Sequence, residues 1–297
     1  FRNDPEDVFT IPSNFINGIH VEDSIVWVAT DGCGLARLDR RTGKFKSWNN
    51  SDEFPFNATT PHFVTHVLRD SKQRLWISSS AGLACYTNHG EYKLYTYSNK
   101  EGSISQNEIV MCYEDKKGRI WVVSETGGLD LFDEQRRCFV SYSEKMGIPN
   151  DLRSIAEDMN GNLWIGAIDA VYLFNPDEDV LKQYDLSFDL KGSTLSKRAV
   201  LTDGNNNLFF GTSNGFFRVN PKDIKPIKSN PYVYLKGFYL WDKKQEVGSS
   251  DILKEDIAFA KSVVLNYEQN FFSLEFTSVN LDVHESLKYF YKLEGFH

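Results

Sequence analysis

The sequence predicts an all-β protein: a run of β-propeller blades followed by the first part of an immunoglobulin-like β-sandwich. Three observations predict it. A single unit recurs as EDSIVWVATDGCGL, DSKQRLWISSSAGL, DKKGRIWVVSETGGL, DMNGNLWIGAIDAV and DGNNNLFFGTSNGF, centred on Trp27, Trp76, Trp121, Trp164 and Phe209. Those aromatics stand 49, 45, 43 and 45 residues apart, close to the length of one propeller blade, about 40 to 50 residues. After Pro221 the repeat stops, and FFSLEFTSV introduces an alternating strand of a different kind.

Within each unit the texture is short apolar segments separated by turn residues, which reads as strands. The third unit shows all four: NEIVMCYED, GRIWVVS, GGLDLFD and RCFVSYS. Asp115 to Gly118 supplies the tight turn between the first two, because Gly tolerates positive φ and Asp bonds its own backbone. Asp70, Asp158 and Asp203 fill the same place, six residues before the aromatic. The next turn carries Thr126, Gly127 and Gly128, echoed by Ala81-Gly82 and Asn214-Gly215. Four antiparallel strands make one blade, and radial packing of blade on blade leaves few long edges. An indole on the second strand of each blade is then a wedge between neighbouring sheets, burying roughly 150–250 Å²; a ring of sugar-stacking aromatics is the competing role.

These units place the propeller at residues 1–221. The opening FRNDPEDVFTIPSNFINGI has the form of the inter-blade stretch SYSEKMGIPNDLRSI, so Phe1 falls where an outer strand ends. Either blades lie upstream or five blades close with help from this opening piece. Residues 222–231 read as a proline-bearing linker. Residues 232–297 hold the segments YVYLKGFYLW, SVVLNY, FFSLEFTSV and LKYFYKLEGF, four strands of a sandwich that ordinarily needs about seven. Phe272, Leu274 and Phe276 alternate with Ser273, Glu275 and Thr277, which predicts one buried and one wet face. An unfinished sandwich exposes a strand edge, so this domain is expected to pack on the propeller or on a second copy.

Composition excludes several functions. Lysine plus arginine number 33 against 41 acidic residues, a net charge of −8 without a basic stripe, which speaks against a nucleic-acid or anionic-membrane surface. Apolar runs such as Val263 to Leu265 fall far short of the ~20 residues of a membrane span, and FRNDPEDVFT lacks the basic and apolar regions of a signal peptide. The sequence predicts no cofactor and no metal site. His62 and His66 are four apart, but in an extended stretch after Pro61 they read as solvated or hydrogen-bonded. No nucleophile elbow, P-loop or dinucleotide fingerprint is present, and Glu125 and Asp169 read as solvated turn carboxylates rather than a catalytic pair. Of the four cysteines, Cys112 and Cys138 fall on the inner and outer strands of one blade, three ladder spacings of about 4.8 Å apart and beyond disulfide reach. Cys85 with Cys112 is the pairing left open; buried thiols serving as small apolar residues is the main reading.

DKKGRIWVVSETGGLDLFD, DMNGNLWIGAIDAVYLFNP and DGNNNLFFGTSNGFFRVNP resemble the two-component regulator propeller repeat. DGCGLARLDRRTGKFKSW resembles its glycine-rich second half, with Cys33 standing where the repeat has glycine. NFFSLEFTSVNLDVHESLKYFYKLEGF is similar to the start of the tyrosine-rich sandwich domain that follows such propellers. Together the two cover nearly the whole chain, in the order found in extracytoplasmic sensor regions of hybrid histidine kinases of Bacteroidetes. The resemblance implies a periplasmic sensor of oligosaccharides, usually two seven-bladed propellers plus the sandwich. It also implies a homodimeric receptor joined through a downstream membrane helix to cytoplasmic kinase, receiver and DNA-binding modules. The chain departs from that pattern in showing five repeats, in stopping inside the sandwich, and in holding neither membrane helix nor kinase.

The propeller architecture names the candidate ligand contacts. Loops from second to third strands share a face with the loops that join one blade to the next, and sites favour concavities where a few polar groups converge. The former loops hold Thr30, Asp31, Ser80, Glu125, Thr126, Asp169 and Asn214; the latter add His62, Asn107, Asn150 and Lys197. Trp48 or Phe54 could stack on a pyranose ring. The competing classes are a propeller enzyme acting on glycans, such as a lyase or lactonase, and a protein-interaction scaffold.

Overall fold

The computed structural model describes residues 1–47, 63–185, 190, 192–223, 233–248, 252–278, 291–292 and 295. They form two compact units, Phe1–Asp223 and Ile224–His297. The first is five antiparallel sheets. Blade 1 is β1 (Ile16–Val21), β2 (Ile25–Thr30), β3 (Gly34–Asp39) and β4 (Phe45–Ser47); blade 2 is β5 (Val64–Arg69), β6 (Leu75–Ser79), β7 (Gly82–Tyr86) and β8 (Tyr92–Tyr95). Blade 3 is β9 (Ile109–Glu114), β10 (Ile120–Ser124), β11 (Gly128–Asp133) and β12 (Cys138–Ser141); blade 4 is β13 (Ser154–Glu157), β14 (Leu163–Gly166), β15 (Ala170–Asn175) and β16 (Val180–Asp185). Blade 5 has three strands among the described residues: β17 (Leu195–Thr202), β18 (Leu208–Thr212) and β19 (Gly215–Val219). In every blade sequential strands pair in order, and the first strands of successive blades adjoin.

The recurring indoles are the wedges between blades. Trp27, Trp76, Trp121 and Trp164 are at most 3% exposed. Trp27 packs with Val64, Val67 and Ile77 of blade 2, Trp76 with Ile120 and Phe132 of blade 3, and Trp121 with Ile155 and Phe174 of blade 4. The aspartate six residues earlier does more than turn the hairpin. Asp70, Asp115 and Asp158 are buried and accept the indole Nε1–H of Trp76, Trp121 and Trp164 at 2.8, 2.9 and 3.0 Å. The same carboxylates accept hairpin backbone N–H groups, as Asp115 does from Lys117 and Arg119. In blade 5 the Phe209 side chain has no N–H to offer, and the Asp203 carboxylate accepts from Asn205 and Asn207 among the described residues.

The stretch SYSEKMG, read as outer strand and polar loop, contains a one-turn helix, α1 (Tyr142–Met146), ended by Gly147 at φ 70°. Tyr142 leaves the strand to sit edge-on against Trp121 and Phe174, and Ser143 Oγ accepts the Leu129 N–H. Cys85, Cys112 and Cys138 carry no disulfide, so the Cys85–Cys112 pairing is not made. Burial pushes the Cys85 and Cys112 thiols up to about 12.

Asp130, on β11, is a buried carboxylate that anchors the inter-blade loop before β9: it accepts Ser105 N–H at 2.9 Å and Ser105 Oγ–H at 2.5 Å. Burial raises its pKa to about 6, against those two hydrogen bonds. A raised folded value means the native state holds the proton more tightly than the unfolded chain. Its contribution is therefore complete below the ordinary value of 3.8 and is lost as pH rises through about 6. Asp130→Asn keeps both hydrogen bonds once the Ser105 hydroxyl rotates. Urea titrations of parent and variant should converge near pH 4 and separate by on the order of 2–3 kcal/mol by pH 7, with the variant the more stable. A constant difference across that range would show that Asp130 titrates normally.

The second unit holds a three-stranded antiparallel sheet in the order β21 (Lys243–Lys244), β20 (Val233–Leu240), β22 (Phe272–Ser278). Its core is Phe238, Leu240, Leu253 and Ile257, with Val263 and Leu265 packed against it. SVVLNY is not a strand: Val263 and Leu265 turn toward that core while Val264 and Tyr267 are left in solvent. The alternation of β22 also fails to give a buried face among the described residues. Phe272, Leu274 and Phe276 are 38%, 44% and 37% exposed, whereas Glu275 is drawn in by Tyr239 Oη and Lys236. The fourth expected strand, LKYFYKLEGF, lies largely outside the described residues.

Candidate functional site

Four of the five inner strands break register near the face where they begin. Pairing slips between Ile16 and Gly18 in β1, between Val64 and His66 in β5, opposite Val123 and Ser124 in β9, and between Leu195 and Val200 in β17. A bulge leaves a residue unpaired and re-aims its side chain. Asn17, Thr65, Val110, Lys197 and Arg198 are displaced in this way, and all five line one cavity of about 250 Å³.

The rest of the wall is Asp31, Ser80 and Glu125, with Phe63, Glu108 and Ile109. One backbone bond sets these loops in each of the first three blades. The N–H of Asp31, Ser80 and Glu125 donates to the carbonyl of Phe15, Phe63 and Glu108, at 3.0, 3.2 and 2.9 Å. Each loop is thereby pinned to the start of its own inner strand, which fixes where the polar side chain emerges. The bulged residues tie blade to blade: Asn17 Nδ2 donates to Val64 O at 2.9 Å and Thr65 Oγ1 to Ile109 O at 2.7 Å. Arg198 donates from Nε and Nη2 to Asn17 O and Oδ1, both at 3.1 Å. Lys197 forms an ion pair with Glu125. The Phe63 ring, 53% exposed, supplies an open aromatic surface in the wall.

Two histidines stand farther along β1 and β5. Burial lowers the His66 pKa to about 4, helped by the charge of Arg198, and burial also lowers that of His20. His66 Nδ1 lies 4.0 Å from Cys112 Sγ. With the thiol up to about 12, this is a contact between a neutral ring and a neutral thiol rather than an activated nucleophile.

Among the sequence-derived candidates, Asp31, Ser80, Glu125 and Lys197 come together at the cavity. Thr30 does not reach it: the residue is fully buried and its hydroxyl donates to Gly34 O at 2.6 Å. Ser79 and Ser124 repeat that turn-closing bond to Gly82 and Gly128. Thr126, Asp169 and Asn214 are exposed and outside the cavity wall, with Asn214 donating to Ser193 Oγ. Asn107 accepts the Tyr97 N–H, and Asn150 lies exposed. Trp48, Phe54 and His62 lie outside the described residues. Sequence reasoning missed Asn17, Phe63, Thr65, Glu108 and Arg198. The usable signal was a polar residue interrupting the start of an apolar inner strand, as in INGI and VTHV.

The two-component regulator propeller family model matches residues 147–169, which enclose the second-strand tryptophan of blade 4. Histidine kinase P4 of Formosa agariphila is 26% identical over 278 residues, covering 92% of this chain and 20% of that protein. The chain thus spans about a fifth of the length of this curated relative. The extracellular domain of the hybrid two component system BT3049 from B. thetaiotaomicron superposes with a TM-score of 0.66 at 22% identity, over 89% of this chain and 35% of that one. Virginiamycin B lyase from Staphylococcus aureus superposes at 0.51 and 15% identity, over 74% and 73%, a likeness of propeller fold. The repeat, the order of blades then sheet, and these likenesses agree: the chain carries a two-component regulator propeller repeat at residues 147–169 and is similar to the extracellular domain of a hybrid two-component system and to a histidine kinase.

Proposed function

We propose that this chain is the ligand-sensing part of a periplasmic receptor region, that its ligand is an oligosaccharide, and that occupancy is relayed to a histidine kinase outside the chain. The observation that carries the reading is the convergence of Asp31, Ser80, Glu125, Lys197 and the open Phe63 ring on one cavity. Hydroxyl, carboxylate and ammonium groups match sugar hydroxyls, and an exposed aromatic face matches the C–H surface of a pyranose. At about 250 Å³ the cavity is smaller than the roughly 300–1,000 Å³ usual for ligand pockets, which suits an end of an oligosaccharide rather than its whole length.

The wall draws residues from blades 1, 2, 3 and 5, so a ligand bridging them favours one relative placement of those blades over another. Differential affinity of this kind is what shifts a receptor between states. The homodimer and the membrane helix that such relay requires belong to the same proposal.

Calorimetry of the chain against a panel of host and plant oligosaccharides tests the reading. One sugar should bind saturably, and Phe63→Ala should weaken it roughly tenfold. Tight binding unchanged in that variant would move the site elsewhere, and absence of saturable binding across the panel would reject the sugar. Product analysis of the same mixtures separates sensing from turnover.

A further inference from the structure

Arg198 is held in an unusual way for a cation that lines a cavity. Its backbone sits in the left-handed region, φ 61°, which a non-glycine residue adopts at a cost and which clusters at functional sites. The bulge of β17 imposes this conformation, and the Arg198 N–H donating to Arg153 O at 2.8 Å holds it. The side chain bonds Asn17 through Nε and Nη2 only, and both acceptors are neutral. Those two donors are one edge of the guanidinium. The other edge, the parallel N–H pair of Nη1 and Nη2, has no partner among the described residues, and no carboxylate lies within ion-pair distance. Burial lowers the Arg198 pKa, while Glu125 and Asp31 oppose the shift from a distance; arginine stays charged regardless.

The neighbouring groups leave that edge unclaimed. Glu125 is engaged by Lys197, and Asp31 and Glu108 are exposed wall residues that form no ion pair with Arg198. Arg153, whose backbone carbonyl receives the Arg198 N–H, has its own Nε buried with no hydrogen-bond partner among the described residues. An open end-on fork on a partly desolvated arginine matches a planar or tetrahedral oxyanion through two parallel hydrogen bonds.

We infer that Arg198 is an anion-recognition point, and that the oligosaccharide sensed at this cavity carries an acidic group, a carboxylate or a sulfate ester, which docks on its open edge. The inference rests on the sensor reading above and narrows it to acidic sugars. Asn17 acts as the positioning residue that occupies the inner edge and turns the outer one to the ligand.

The experiment is calorimetry of the chain and three variants against oligosaccharides of matched length in neutral, uronate-bearing, carboxyl-reduced and sulfated forms. The acidic form should bind, with its neutral counterpart on the order of tenfold to a hundredfold weaker. Arg198→Gln should remove that preference, while Arg198→Lys, which keeps charge but not the fork, should retain part of it. Asp31→Asn should tighten the acidic sugar by removing a like charge. Uronate against sulfate decides which oxyanion is read. Circular dichroism of Arg198→Gln guards against a fold defect, since Arg198 also links two blades. Equal binding of neutral and acidic forms, or weaker acidic binding in Asp31→Asn, overturns the anion assignment while the sensor reading stands. No saturable binding of any form overturns both.

Discussion

Replacing Trp121 by alanine should destabilise the propeller unit by about 3–5 kcal/mol, the range for truncating a buried large aromatic. The indole is fully buried and is shared by two blades. It meets Tyr142 edge-on at 5.1 Å and Phe174 at 5.9 Å, and it packs with Ile155, Leu163 and Ile165. Its loss opens a cavity bounded by two separate sheets, which cannot collapse without one blade moving on the other, so relaxation recovers little. Phe209→Ala, at the same repeat position in blade 5, should cost less than about 2 kcal/mol. That ring is half-buried, and its ring contact is Phe216 at 5.9 Å. Urea unfolding of the two variants side by side checks the comparison. Equal losses, or a Trp121→Ala melting temperature matching the parent, would show that the repeat position does not mark the inter-blade wedge.

The blades could be read from the sequence because their determinants are local and repeated. In blades 2 to 5 an aspartate stands six residues before the aromatic, with a left-handed turn residue, Gln73, Gly118, Gly161 or Asn206, three residues after it. The cavity was harder, since its wall is assembled from residues as far apart in sequence as Asn17 and Arg198. The loop residues Asp31, Ser80 and Glu125 were found because loop position follows from the repeat. The bulged residues were not, because a one-residue slip in pairing leaves no mark on composition. Thr30 lies off the cavity wall for a related reason: one step along a strand end separates a side chain that closes a turn from one that faces the cavity. In the second unit, the period-two pattern of β22 correctly named a strand. It said nothing of what covers the apolar face, which depends on partners distant in the chain.

Asp115→Ala is expected to cost about 3–4 kcal/mol, although it removes few atoms. The carboxylate is inaccessible to solvent and accepts four donors: Lys117 N–H, Arg119 N–H, Arg119 Nε–H and Trp121 Nε1–H. Alanine strands them unequally. The Arg119 guanidinium keeps Asp177, whose Oδ1 lies 3.1 Å from Nη1, and the turn amides lie near water. The Trp121 Nε1–H is left buried without an acceptor, which costs about 1–3 kcal/mol by itself, and breaking a buried pair is a severe loss in its own right. Asp115→Asn should be intermediate, since one amide oxygen still serves the indole while the charge on Arg119 loses its buried partner. Asp203→Ala, where no indole waits, should cost about 1 kcal/mol. A double-mutant cycle between Asp115→Ala and Trp121→Phe isolates the link: phenylalanine fills most of the wedge and carries no N–H, so a coupling on the order of 1–2 kcal/mol is expected. Additive effects would mean that the aspartate serves only its hairpin. Coupling would explain the spacing itself, because one carboxylate then both closes the turn and fixes the indole that joins the next blade.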